Sequence, residues 1–131
     1  MLKHTVEEVV LKNGAKGLLI DVPDASVMAA QINFRAGDDY VADPLKWETA
    51  HIMEHMSLGA NKKYSTAKLF TAEIEKNGAY TNASTGGSDM IYSMECADFE
   101  WDRVLELLCL AISQPLFLEE EFKAEFGNVQ E

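Results

Sequence analysis

The 131-residue sequence predicts an α+β domain in which a mostly antiparallel β-sheet has its helices packed on one face. Two observations lead to this prediction. Alternating or apolar segments separated by turn residues predict strands in the first third of the chain and a hairpin near its middle. Segments with helix caps and apolar stripes of helical period predict helices between and after these strands. Because the sequence has no repeat, linker or low-complexity segment, residues 1–131 are predicted to form a single domain.

The predicted strands are bounded by residues that favour turns. They cover residues 5–11, 17–22, 27–34, 79–84 and 90–95. Asn13-Gly14, between the first two strands, is a strong signal for a hairpin because both residues tolerate the positive φ angles that such turns require. Gly86-Gly87-Ser88-Asp89 separates the last two strands and predicts a second hairpin.

Four helices are predicted from caps and stop signals. They cover residues 46–58, 66–76, 98–113 and 118 onward. Ser65 is the predicted N-cap of the second helix and Asp98 that of the third. Pro115 ends the third helix because proline cannot continue the helical hydrogen-bond pattern. The glutamates that begin the fourth helix suit the positive end of the helix dipole.

Composition and charge exclude several classes of function. The formal net charge is −11, so nucleic acid and anionic membranes would be repelled, and neither is an expected partner. No apolar segment approaches the roughly 20 residues that a membrane span requires. The acidic N-terminus resembles neither a secretory signal nor an Arg-rich transit peptide, and we therefore expect a cytoplasmic location. The two cysteines lack the C-x-x-C spacing of zinc or redox sites.

The segment His51-Ile52-Met53-Glu54-His55 has the form H-x-x-E-H and falls within the first predicted helix. A helix turns about 100° per residue, which places His55 about 40° from His51 and Glu54 about 60° away on the other side. The three side chains therefore share one helix face. Two neutral imidazoles at this spacing can bind zinc, and the carboxylate can reach a water on the same metal. The alternative is a helix whose two histidines face solvent or are satisfied in the core.

The chemistry that such a set would support is amide hydrolysis without a covalent intermediate. Zinc would bring the ionisation of a water close to neutral pH. Glu54 would accept the proton of that water as general base and pass it to the leaving amine as general acid. A hydrolytic zinc site usually has three protein ligands. For the third, the residues alone leave open His4 and the glutamates of the last helix, which are Glu119, Glu120, Glu121, Glu125 and Glu131.

Five segments of the chain form a set that is more specific than the zinc motif alone. They are Leu11-Lys12-Asn13-Gly14, Phe34-Arg35-Ala36-Gly37, His51-Ile52-Met53-Glu54-His55-Met56, Gly78-Ala79-Tyr80-Thr81-Asn82-Ala83-Ser84-Thr85 and Pro115-Leu116-Phe117. The set resembles the N-terminal part of a domain in the pitrilysin/insulinase family of zinc metallopeptidases. The resemblance implies an insulinase-like zinc metalloendopeptidase, or part of one, in which His51 and His55 bind Zn²⁺ and Glu54 is the general base.

The resemblance also implies a third ligand and a supporting acidic residue. In the family the third ligand is a glutamate about 76 or 77 residues past the second histidine, and an acidic residue about seven earlier supports the site. Spacing from His55 makes Glu131 the candidate ligand. Alignment on Pro115-Leu116-Phe117 makes Glu125 the supporting residue and places the ligand one position past Glu131. Both assignments stay open, and Glu131 is the preferred one.

The resemblance further implies how substrate binds. Residues 79–85 are similar to the strand on which family members lay a peptide, which adds to a sheet edge through main-chain hydrogen bonds. The implied substrate-binding residues are Ala79, Asn82, Ala83 and Thr85. The expected partner is a peptide or unfolded polypeptide. Because family domains are longer than this chain, self-association or docking of a second half of the domain is also expected. The alternative functions are a non-catalytic peptide-binding or assembly module and a metal-binding domain without turnover.

Overall fold

The computed structural model describes residues 3–129 and has the predicted α+β architecture. The strands are β1 Thr5–Val10, β2 Lys16–Asp21, β3 Val27–Phe34, β4 Tyr80–Thr85 and β5 Met90–Ala97. The α-helices are α1 Thr49–Ser57, α2 Ala67–Ile74, α3 Trp101–Ser113 and α4 Glu119–Val129. Each predicted strand and helix is present, with bounds that differ by a few residues.

The strands form two antiparallel sheets, where the sequence led us to expect one. Strands β1 and β2 pair only with each other, about a turn in which Gly14 has a φ of 86°. The other sheet has the order β3-β5-β4. Between β2 and β3 the chain passes Pro23, which lacks an N–H, and Asp24, which has a left-handed φ of 64°. This turn directs β3 away from β2, and β3 pairs along its full length with β5 instead.

The main core lies on one face of the three-stranded sheet. Alternate residues of the central strand β5 are buried, namely Met90, Tyr92, Met94 and Cys96. Val104 and Leu108 of α3 and Ala50 of α1 belong to the same cluster. A second cluster joins α2 to α3 through Phe70, Ile74, Leu107 and Ala111. Successive side chains of a strand point to opposite faces, so the alternating apolar residues of β5 determine which face of the sheet the helices cover.

Three predicted helix starts are wrong. The helix predicted at 46–58 begins later, as α1 at Thr49, and a 3₁₀ turn at Pro44–Lys46 precedes it. The N-cap of α2 is Thr66, not Ser65, because the Thr66 hydroxyl accepts the Leu69 N–H at 3.2 Å. Asp98 does not cap α3 and instead begins a 3₁₀ turn that precedes it.

One carboxylate fixes α4 beside the end of α1. Glu121 accepts the Ala60 N–H through Oε2 and the Ala67 N–H through Oε1, each at 2.8 Å. A Cβ at Gly59 would lie 2.6 Å from Glu121 Oε2, so a larger residue at this position would displace the carboxylate. The contact connects the start of α4 to the chain that follows α1 and to the first turn of α2. It also determines where Glu125, one helical turn later, meets α1.

The surface contains a group of exposed apolar side chains on the hairpin β1–β2. Val6, Val10, Leu18, Leu19 and Ile20 are between 56% and 70% exposed. Exposed apolar groups of this kind are typical of surfaces at which proteins associate. Within residues 3–129, none of the helices has the length and apolar character that crossing a bilayer would take.

Candidate metal centre

Two imidazoles converge on one face of α1. The Nε2 atoms of His51 and His55 lie 3.2 Å apart, and the two rings are inclined at 73° to each other. A tetrahedral ion with metal–nitrogen distances of about 2.0–2.1 Å holds two nitrogen ligands about 3.3 Å apart. The observed separation therefore fits two nitrogens that share one metal ion.

The outer nitrogen of each ring faces a carboxylate. His51 Nδ1 is 2.8 Å from Glu48 Oε2, and His55 Nδ1 is 2.8 Å from Glu125 Oε2. An ionised carboxylate can only accept a hydrogen bond, so each Nδ1 donates and contains the ring proton. The lone pair of each neutral ring then lies at Nε2, where it can bind a metal. Both lone pairs therefore face the space between the two rings.

A buried carboxylate completes the cluster. Glu54 is 8% exposed, and its Oε2 accepts a hydrogen bond of 3.0 Å from the Thr85 hydroxyl. One ligand atom from each of His51, Glu54 and His55 lies within 4.8 Å of the others. The donor set of two imidazoles and one carboxylate is the chemistry that zinc and similar divalent ions prefer.

A neutral phenol lies near Glu54. Burial raises the pKa of Tyr92, and the negative charge of Glu54 raises it further, while a hydrogen bond with Ser57 acts in the opposite direction. The Tyr92 hydroxyl is 3.1 Å from the sulfur of Met90. Tyr92 therefore stays protonated and adds no charge to the surroundings of the metal centre.

The structure brings together most of the residues that the sequence predicted for the metal centre. His51, Glu54 and His55 form the cluster, and Glu125 contacts His55 across 70 positions of sequence. Glu131, the predicted third ligand, lies outside the described residues.

The other residues considered as a third ligand lie elsewhere. His4 is exposed near the start of β1, Glu119 pairs with Lys123, Glu120 is exposed, and Glu121 binds the two backbone amides.

The predicted substrate-binding residues lie on or beside an edge strand. Within residues 3–129, β4 pairs with β5 on one side and has no strand on the other. Ala79 precedes β4 and is buried, Asn82 is exposed, and Ala83 packs partly buried against the core. Of these residues, Thr85 is the one that contacts the metal cluster, through Glu54.

Sequence reasoning missed Glu48 as a member of the site. A signal was present, because Glu48 lies three residues before His51 and helical neighbours at this spacing face each other. The contact between Thr85 and Glu54 had no local signal, since it depends on how β4 packs beside α1.

Comparison with known sequences identifies the family of this chain. Residues 25–131 match the family model described as insulinase, peptidase family M16. The chain is 31% identical over 115 residues to insulin-degrading enzyme-like 2 of Arabidopsis thaliana, which covers 87% of this chain and 12% of that protein. It is 28% identical over 116 residues to an uncharacterized zinc protease of Rickettsia felis, covering 88% of this chain and 28% of that protein.

Solved structures agree with the sequence matches. A protease from Helicobacter pylori superposes with a TM-score of 0.81 at 26% identity, over 98% of this chain and 30% of that one. Pitrilysin superposes with a TM-score of 0.84 at 27% identity, over 96% of this chain and 13% of the pitrilysin chain. The chain thus spans less than a third of each of these four relatives. With the H-x-x-E-H cluster formed and the family model matched from residue 25 to residue 131, the chain belongs to the insulinase family, peptidase family M16.

Proposed function

We propose that this chain is the zinc-binding catalytic part of a metalloendopeptidase that hydrolyses peptide bonds. The observation that supports this most directly is the convergence of His51 Nε2 and His55 Nε2 beside the buried carboxylate of Glu54. Membership of a peptidase family supports the reaction class. The nitrogen and oxygen donors support zinc as the metal.

The residues of the chain have distinct roles in the proposed reaction. When bound, zinc would polarise the peptide carbonyl and activate a water for attack. Glu54 accepts the proton of that water and then delivers it to the nitrogen of the leaving amine. The Thr85 hydroxyl holds Oε2 of Glu54 and so fixes the orientation of the carboxylate during both transfers. The burial of Glu54 limits its exchange of protons with bulk water.

We also propose that the peptide substrate adds to the outer edge of β4. This edge has free main-chain groups within the described part of the chain, and such groups bind extended peptides with little demand on sequence. Thr85 lies at the end of β4 and contacts Glu54, so a peptide aligned along β4 would pass the proposed base. Asn82, Ala79 and Ala83 lie along the same path. A cytoplasmic location stays a prediction, which fractionation of the source cells would test.

Removal of one imidazole is expected to abolish zinc binding. Purified protein should contain about one zinc per chain, and His51→Ala should lose it, because one histidine and a carboxylate are too few ligands to hold the ion. Elemental analysis of protein dialysed against metal-free buffer measures this. His4→Ala is the matched control, since His4 is exposed and distant in sequence from the cluster, and it should retain zinc. Equal zinc content in His51→Ala and in wild type would contradict the proposed site.

Glu131 is expected to be the third ligand, on its spacing from His55. If so, Glu131→Ala should weaken zinc binding by more than about 100-fold, because a lost ligand costs at least as much as a lost outer partner. Competition with a chelator of known affinity measures the change, and Glu120→Ala controls for the loss of one negative charge. An unchanged affinity would reject Glu131. It would favour the alternative assignment, in which the ligand lies one position past Glu131.

Glu54→Gln is expected to abolish peptide cleavage while zinc stays bound. Glutamine retains the size of glutamate but cannot accept the proton, and a positioned general base typically contributes about 10²–10⁴-fold to rate. Hydrolysis of a fluorogenic peptide, measured beside zinc content, tests this. Zinc binding without cleavage in the wild type would support a metal-binding domain without turnover. Absence of both would support the non-catalytic module.

Main-chain methylation of a peptide is expected to reveal strand addition. Alternate N–H groups of an extended peptide point to opposite sides, so only one alternate set can donate to β4. Methylation of two groups in that set should weaken binding to the Glu54→Gln variant by about tenfold or more, because each lost hydrogen bond costs about 1 kcal/mol. The same peptide methylated at the intervening positions is the matched control. Equal affinity of the two peptides would contradict binding at the edge of β4.

A further inference from the structure

We propose that Glu48 is a positioning residue of the metal centre. Its carboxylate holds the His51 ring in the tautomer and orientation that aim Nε2 at the ion. This inference rests on the proposed zinc site and adds to it a residue that the H-x-x-E-H motif does not contain. Three features of the structure support it, and they concern the backbone, the side chain and the opposing ring.

The backbone places Glu48 at the start of α1. Glu48 is the N-cap residue with φ −69° and ψ −1°, and its carbonyl accepts the Ile52 N–H at 2.9 Å. Its position relative to His51 is therefore fixed by the first turn of the helix. The N-terminal end of a helix favours a negative charge, so an ionised carboxylate is well placed there.

The side chain of Glu48 contacts the outer nitrogen of His51. The distance of 2.8 Å from Oε2 to Nδ1 is that of a charge-assisted hydrogen bond. Residues three apart on a helix are neighbours, so the contact needs no distant element. Partners of this kind fix the tautomer of a metal-binding histidine and increase its basicity. Glu48 has this role for His51, as Glu125 has it for His55 from α4.

The opposing ring shows why the carboxylate is needed. With both Nδ1 atoms protonated, two lone pairs face each other across 3.2 Å and repel. The ring of His51 would relieve this repulsion by moving its proton to Nε2 and donating it to His55 Nε2. In that tautomer His51 has no lone pair for a metal. Glu48 opposes the change by giving the proton a stronger partner at Nδ1, and the site is thereby prepared for an ion before the ion binds.

The tautomer of each ring can be measured without metal. We expect ¹⁵N NMR of the zinc-free protein, well above the ordinary imidazole pKa of about 6.5, to show both rings protonated at Nδ1. In Glu48→Ala, His51 should move to the Nε2–H tautomer while His55 stays unchanged. Glu48→Gln retains an oxygen that can accept the Nδ1 proton, so it should restore the wild-type tautomer. If Glu48 only supported folding, its loss would not change the tautomer of His51 while leaving that of His55 unchanged.

Zinc affinity provides the second measurement. Loss of an outer-shell partner typically weakens metal binding by about 10- to 100-fold, and Glu48→Ala should show a loss in this range by chelator competition. Glu48→Gln should recover part of it. Glu106→Ala is the matched control, because it removes the same charge from an exposed position on α3 and should leave both tautomers and affinity unchanged.

Specific results would overturn the proposal. An Nε2–H tautomer of His51 in the wild type would do so without any variant. So would a Glu48→Ala protein that is folded by circular dichroism and has wild-type tautomers and wild-type zinc affinity. If the wild type binds no zinc, the proposed peptidase function is rejected, while the tautomers of the zinc-free protein still decide whether Glu48 positions His51.

Discussion

The candidate metal centre depends on two hydrogen bonds that decide which nitrogen of each imidazole contains the proton. Glu48 and Glu125 accept from Nδ1 of His51 and of His55, and both lone pairs are thereby left on the inner side. The same rings without these bonds would form an ordinary histidine pair, in which one Nε2–H donates to the other Nε2. Spacing on the helix brings the rings together, and the carboxylates convert that proximity into a site for a cation.

The two carboxylates depend on different levels of structure. Glu48 needs only the first turn of α1, whereas Glu125 requires α4 to dock against α1. That docking rests on Glu121, which binds two backbone amides from the segments after α1, and on Gly59, which leaves room for it. The orientation of the His51 ring therefore depends on the geometry of α1 alone, whereas that of the His55 ring depends on the tertiary fold. A metal centre of this kind is complete only when the tertiary structure has formed.

The part of the site within one helix could be predicted from sequence, because residues three and four apart on a helix are neighbours whatever the rest of the fold does. Glu48 obeys the same rule, but the H-x-x-E-H motif does not include a partner for the outer ring nitrogens. Glu125 came from family resemblance, since no local pattern relates positions 70 apart. The contact of Thr85 with Glu54 needs the packing of β4 beside α1, which the sequence alone does not define. The separation of the first hairpin from the sheet likewise depends on the turn at Pro23 and on the pairing of β3 with β5 along its full length.

The hydrogen bond between Thr85 and Glu54 connects the proposed recognition of substrate to the proposed chemistry. A strand advances about 3.3 Å per residue. In a peptide paired with β4, the residue that lies level with Thr85 would therefore be the one beside Glu54. Because main-chain pairing is largely indifferent to side chains, the register of the peptide along β4 would decide which bond lies beside Glu54. The cleaved bond would then be selected mainly by the position at which an extended segment pairs with the edge of β4, and less by a pocket for one side chain. The exposed Asn82 lies three positions before Thr85 on the same strand, beside the proposed path of such a peptide.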